Sequence, residues 1–245
     1  MNSKIKDQFK ARADSFEASA RWVKDKDLLD IHQKLAGTLK DNLILEVCCG
    51  TGVVGKSLLC RDSKIAGLDI SLSMLGQAKN KLQFCVNGSA EQIPFLDGIF
   101  DIVVCRQAFH FLETKRAVKE MLRVLKRGGK VIISQIVPFG RQDAEWLREI
   151  HLKKQPLLKN FLLENDLKDL LKDAGCADIV LHEHVIEEPI NEWLKDTYFS
   201  KSKIDEIKEM FLNAPKGYKE SHKVRVAGNN IFDTMRWVVF GGRKA

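Results

Sequence analysis

The sequence predicts a doubly wound α/β fold, and three observations carry that expectation. Apolar strand-like runs alternate with amphipathic helical patterns along most of the chain. The runs are continuous rather than strictly alternating, as strands covered on both faces should be. A glycine-rich turn links the first run to the helical pattern after it, where such folds bring backbone close to a ligand.

In chain order, residues 1–35 read as a helical arm on which Phe9, Phe16 and Trp22 recur among charged residues. Strands are then expected at LILEV, KIAGLD, QFCVNG, FDIVVC and GGKVIISQIV, with helices at VGKSLL, SLSMLGQAKNKL and TKRAVKEMLRVLKR between them. Downstream helices are expected around DAEWLREIHLKK and ENDLKDLLKDAG, where Gly175 is placed to cap the helix C-terminus. DIVLHEHVIEE and NIFDTMRWVVFGG complete a seven-stranded sheet, separated by a helical insertion. With no repeat, low-complexity tract or Gly/Pro linker, one domain spanning 1–245 is expected, with 138–165 and 188–229 as insertions.

Composition narrows the partners. The 44% hydrophobic and 30% charged residues suit a water-soluble globular chain. The first residues contain no apolar leader and no long apolar run follows, so a cytoplasmic, unanchored protein is expected. Cysteines 48, 49, 60, 85, 105 and 176 show neither a Cys-x-x-Cys pair nor His partners at ligand spacing, which suggests reduced thiols and no metal. His182 and His184 share one strand face and read as surface residues. The net charge of +7 is spread among acids, as on solvated faces, so no nucleic-acid partner is expected.

The glycine-rich turn fits three ligands. From Gly50 it spells the P-loop pattern through Lys56 and Ser57, and Gly50, Gly52 and Gly55 also match the dinucleotide fingerprint. Glu46, closing the preceding strand, opposes both, because a carboxylate repels a phosphate and favours a cationic ligand. The dinucleotide register fits poorly, since its first Gly should follow the strand directly.

Segments beyond the turn favour the cationic ligand. Glu46-Val-Cys-Cys-Gly50-Thr-Gly52, Leu68-Asp69-Ile70-Ser71-x-x-Met74, Gly88-Ser89-Ala90-Glu91-x-Ile93-Pro94-Phe95, Phe100-Asp101-Ile-Val-Val and Leu122-x-x-Leu125-Lys-Arg-Gly128-Gly129 occur in series. Over residues 40–136 this series resembles the class I S-adenosylmethionine (SAM)-dependent methyltransferases, especially the subgroup with quinone-biosynthesis and malonyl-carrier-protein methyltransferases. The sequence departs from that pattern at Cys48, where Gly is usual, at Ser89, where Asp is frequent, and at Arg127, where Pro is usual.

The resemblance implies a Rossmann-like fold with an antiparallel C-terminal strand, and methyl transfer from SAM to a small molecule, releasing S-adenosylhomocysteine. It implies that Asp69 accepts from the ribose hydroxyls, that Glu46 orients the methionine end, and that Cys48, Gly50 and Gly52 let backbone lie against the ligand. Ile70 and Met74 would flank the adenine, Ser89 and Ala90 would contact its amino group, and Cys105 and Arg106 would sit at the crevice. Phe109, His110 and Phe111 are expected at the acceptor pocket, with His110 either a general base or a packed histidine. Phe16 and Trp22 are expected on a lid. The VVCRQAFHFLE segment lacks the signatures of nucleobase methylation. The acceptor and the oligomeric state are not fixed by the sequence; a non-catalytic SAM binder and a P-loop protein remain the alternatives.

Overall fold

The computed structural model describes residues 2–195 and 199–245. Its sheet is set by strands that bury both faces. In β1 (Leu43–Val47) Ile44 joins one core cluster while Leu45 and Val47 join the other. In β4 (Phe100–Arg106) Ile102 and Val104 point one way, Val103 and Cys105 the other. This period-2 splitting of a fully apolar run is why these strands lack a polar face in the sequence.

The helical arm comprises α1 (Asn2–Arg12), α2 (Phe16–Ser19), a 3₁₀ turn at Arg21–Lys24 and α3 (Lys26–Ala36). Asp25 caps α3 by accepting from the Leu28 N–H at 2.8 Å. After β1 come α4 (Val53–Ser57), β2 (Lys64–Asp69), α5 (Leu72–Ala78) and β3 (Phe84–Asn87). β4 is followed by a 3₁₀ turn at Phe109–Phe111, α6 (Thr114–Val124) and β5 (Leu125–Val137). The expected boundary moves here: Leu125–Arg127 belong to the strand, and Gly128 takes a left-handed φ of 72° within it.

The C-terminal part holds α7 (Arg141–Lys154), α8 (Glu164–Asp173), β6 (Cys176–Pro189), α9 (Ile190–Trp193), α10 (Lys201–Leu212), α11 (Lys216–Ser221), β7 (Arg225–Ala227) and β8 (Asn230–Lys244). Gly175 follows α8 at φ 93° and donates to the Lys172 carbonyl, as its predicted capping position requires. Residues 196–198 of the predicted insertion lie outside the described residues.

The strand order is β3-β2-β1-β4-β5-β8-β6, with β7 pairing off β8. β8 runs antiparallel to β5 and β6, while β1 to β5 are parallel. The described strands number eight rather than the seven expected. The extra one is a three-residue hairpin arm across Gly228, too short to leave a periodic signal. Winding reverses between β1 and β4, which opens a crevice at the strand C-termini. Among the described residues, no helix is long and apolar enough to cross a membrane.

A buried polar brace ties the insertion to this frame. His222 donates from Nε2 to Asp143 of α7 at 2.9 Å, lies 3.3 Å from Asp233 of β8, and stacks on Tyr218 at 3.9 Å between centroids. Burial alone would lower the His222 pKa, but the two carboxylates outweigh it and raise it to about 9.

Candidate functional site

The reversal between β1 and β4 opens into a solvent-accessible cavity. Parallel register brings Glu46 of β1, Asp69 at the end of β2 and Arg106 at the end of β4 to its wall. Each carboxylate is anchored by backbone. Glu46 accepts from the Gly55 N–H at 2.8 Å, and Asp69 accepts from the Gly50 and Ser71 N–H groups, both at 2.8 Å. One bond to each Asp69 oxygen leaves each a further lone pair for a ligand.

Burial dominates the acids' titration. It raises the Glu46 pKa to about 7, against the pull of the Gly55 N–H and of Arg106, and it raises Asp69 against its backbone donors. Arg106 donates from Nη2 to the Val23 carbonyl at 3.0 Å, stacks 5.1 Å over Trp22 and keeps a buried Nη1 without a hydrogen-bond partner.

The turn after β1 combines two left-handed residues with a close approach. Cys48 adopts φ 54° and Gly50 φ 51°. That conformation strains a cysteine and explains why glycine is usual at position 48. The Cys48 thiol, hydrogen-bonded to Cys105 and buried, is held well above its ordinary pKa. A Cβ on Gly50 would meet nothing within 4 Å, so the glycine presents bare backbone.

Of the residues singled out in the sequence, Glu46, Cys48, Gly50, Asp69, Ile70, Met74, Ser89, Ala90, Arg106, Phe16 and Trp22 line this cavity. Gly52 does not: it starts α4 at φ 76°, and a Cβ there would lie 2.9 Å from Leu82, so its role is packing against α5 and the turn after it. Cys105 and Phe109 are fully buried in the core, because alternation turns Cys105 away one residue before Arg106. Ser89 spends its hydroxyl on Glu91 at 2.9 Å, and Glu91 lines the cavity with Gln107 and Phe111. Lys56 is exposed, and the Ser57 hydroxyl donates to the Val54 carbonyl at 2.6 Å.

A second, smaller cavity shares Phe9, Phe16, Trp22, Gln107 and Phe111 with the first. His110 lies here, with Nδ1 2.9 Å from Gln135 Nε2. Burial, reinforced by His151, lowers its pKa to about 3, so it is neutral and a weak base at neutral pH. Arg12, His151, Lys154 and Trp193 complete this cavity and were not singled out in the sequence. Arg106 lines the first cavity, whereas Arg225 pairs with Glu187 at the surface. His184 bonds Asp25 at 3.0 Å rather than facing solvent alone.

The arm forms the shared wall. Gln8 donates to Gln155 at 3.0 Å, Gln77 to Asp14 at 3.1 Å, and Lys81 bridges Glu17 at 2.6 Å and the Thr51 carbonyl at 2.9 Å.

Comparison with known proteins agrees with this geometry. Residues 45–133 match a family model described as a methyltransferase domain. An uncharacterized protein of Methanocaldococcus jannaschii is 31% identical over 59% of this chain and 69% of its own. The ubiquinone/menaquinone biosynthesis C-methyltransferase of Wigglesworthia glossinidia brevipalpis is 31% identical over 46% of this chain and 49% of its own. Across such curated relatives the chain spans 41% to 69% of their length. A crystal structure of a SAM-dependent methyltransferase from Thermotoga maritima shares the fold, with a TM-score of 0.62 and 20% identity over 97% of this chain and 98% of its own. Motif series, strand order and matched model agree, and residues 45–133 of the chain form a methyltransferase domain.

Proposed function

We propose that this protein is a single-domain enzyme that transfers the methyl group of SAM to a small-molecule acceptor. The observation that carries the proposal is the convergence of Glu46, Asp69 and the bare backbone of Gly50 on one cavity at the strand ends. Asp69 would accept both ribose hydroxyls in charge-assisted bonds. Glu46 would hold the ammonium, and the unpartnered Nη1 of Arg106 the carboxylate, of the methionine end. Ile70 and Met74 would flank the adenine beside Ser89, Ala90 and Glu91.

Bound SAM would supply an electrophilic methyl group, the electron pair of its C–S bond staying with sulfur as the acceptor atom bonds to carbon. The protein's part is to hold the two reactants in line, which can supply ~7–11 kcal/mol, and to exclude water beneath the arm. His110, neutral by burial, positions the acceptor or donates to it rather than collecting its proton. A cytoplasmic setting belongs to the same proposal, supported by six free thiols.

Incubation with methyl-labelled SAM and a metabolite extract tests the enzyme. Label should appear in a small molecule; saturable binding without transfer would instead identify a SAM sensor. SAM and S-adenosylhomocysteine should raise the melting temperature as RT ln(1 + [L]/Kd), and Mg-ATP should not.

A further inference from the structure

The residues common to both cavities are Phe9, Phe16, Trp22, Phe111 and Gln107, four aromatics and one amide. The amide has an unusual backbone. Directly after β4 closes on Arg106, Gln107 takes a left-handed φ of 51°, a region that a glutamine seldom occupies. Two bonds hold it there: its N–H donates to the Ser134 carbonyl and its Oε1 accepts from the Ile136 N–H, both at 2.8 Å. Strain braced in this way gathers where a side chain must be aimed.

The direction of aim follows from the partners. Regular alternation would turn residue 107 away from the cavity that Arg106 lines. The left-handed turn instead lays the side chain along β5 to Ile136, which lines the second cavity, while Gln107 keeps its place on the wall of both. The Ile136 bond also settles which end of the amide faces out. A backbone N–H only donates, so the atom it meets is the amide oxygen, and Nε2 is the outward end. Among the described residues Nε2 meets no protein partner, and it is not sealed in the interior.

An amide N–H2 donates and never accepts. It complements an oxygen that accepts and never donates, a carbonyl above all, and mismatches an ammonium, which has no lone pair. In the cofactor pose proposed above, the methionine carboxylate already meets Arg106 Nη1, so Nε2 is left for the second reactant.

We propose that Gln107 is the specificity-determining residue of the acceptor site: its Nε2 donates to a carbonyl oxygen of the acceptor at the boundary of the two cavities, and so selects carbonyl compounds. This rests on the methyltransferase reading above. With the oxygen held at that boundary, the body of the acceptor lies among Phe9, Phe111 and Trp193, and the reacting atom faces the first cavity.

The test uses the full-length protein saturated with S-adenosylhomocysteine and three probes of one skeleton. These are acetophenone, α-methylstyrene, in which a methylene replaces the carbonyl oxygen, and α-methylbenzyl alcohol. Affinities are read by ligand-observed nuclear magnetic resonance titration. Acetophenone should bind about fivefold more tightly than α-methylstyrene, the weight of one neutral hydrogen bond, and the alcohol no more tightly than acetophenone. Gln107→Met should bring the ratio of acetophenone to α-methylstyrene affinity to unity. Both probes meet the same walls, so loosened packing shifts them together and only loss of the donor changes the ratio. Where Gln107→Met does not fold, Gln107→Glu carries the test. Its carboxylate keeps an acceptor for the Ile136 N–H but, once ionised, presents the cavity with lone pairs alone, so the acetophenone advantage should vanish as pH is raised through that titration. No acetophenone binding, equal binding of α-methylstyrene by the wild type, tighter binding of the alcohol, or a ratio that survives Gln107→Met or ionised Gln107→Glu overturns the proposal and leaves the methyltransferase reading standing. So does a loss of S-adenosylhomocysteine affinity above about tenfold with the ratio unchanged, which would assign Nε2 to the cofactor. Failure of S-adenosylhomocysteine to bind the wild-type protein overturns both.

Discussion

The cavity at the strand ends presents Glu46 and Asp69 from neighbouring parallel strands, whereas the cavity beside it presents Arg12 from the arm and Lys154 from α7. The first is built by the sheet: its acids are themselves register-paired, Glu46 with Gly67 and Asp69 with Asn87, and accept from the same short loops that shape the wall. The second is built by docking of helices onto that sheet, and its cations are placed by aromatic packing, with Lys154 also donating to the Trp193 carbonyl. A site fixed by strand register resists drift, while a site fixed by helix docking can change its chemistry with a few surface substitutions. One frame can thus hold a constant ligand beside a variable one.

The largest expected effect probes how the docked half is held. Removing one partner of a buried ion pair costs ~3–5 kcal/mol, so His222→Leu should lower unfolding free energy by about that much in urea titrations. The pH profile supplies the control. His222 is raised in the folded state to about 9, so its contribution is complete below about pH 6.5 and fades as pH rises through about 9. Wild-type stability should decline across that window and the variant's should not. A flat wild-type profile would mean that the brace is uncharged and that docking rests on packing alone.

Next in size, Asp69→Ala should weaken SAM binding by ~2–4 kcal/mol, since bonds to a charged group contribute ~1.5–3 kcal/mol each and overlap. Calorimetry on the folded variant checks this, and unchanged affinity would show that β2 does not hold the ligand. Glu46 gives a smaller, graded effect. Its carboxyl is protonated below about pH 7 in the free protein, and a cationic ligand favours the ionised form, so SAM affinity should fall with pH from 7 to 5. The slope approaches tenfold per pH unit, ~1.4 kcal/mol, and Glu46→Gln should flatten it. At the bottom of the scale, Lys56→Ala should leave SAM affinity within ~0.5 kcal/mol, because the lysine is exposed. Mg-ATP stabilisation that disappears in this variant would restore the P-loop and dissolve the contrast between the cavities.

The same contrast explains what the sequence disclosed. The central strands were legible because each is an apolar run between turn residues, and Glu46 and Asp69 because each lies at or beside the end of such a run within a contiguous motif. Legibility failed by single residues where side-chain direction decides. Cys105 and Arg106 were read together, but adjacent strand positions face opposite ways; Phe109 and Phe111 share a 3₁₀ turn, yet only Phe111 reaches a cavity. Gly52, expected against the ligand, faces Leu82 instead and lies off the cavity wall. Arg12, His151 and Lys154 left no signal. They sit on amphipathic helices far apart in the chain, where isolated charges look like solvated faces, and only tertiary docking turns them inward.

The arm that walls both cavities also has a consequence for timing. Phe9, Phe16 and Trp22 border both cavities, so under the proposed lid role ligand exchange on either side is coupled to displacement of the arm. The cofactor product and the methylated product then leave through one gate, and their release rates should be correlated rather than independent. The fastenings of that gate are largely polar: the Gln8 to Gln155 bond, the Gln77 to Asp14 bond and the ion pair of Glu17 with Lys81. Ion pairs at a partly exposed seam weaken with ionic strength, whereas the aromatic contacts beneath them do not. Residence time of S-adenosylhomocysteine should therefore shorten as salt is raised, at nearly constant fold stability, making the seam between arm and α5 the clock of the turnover cycle.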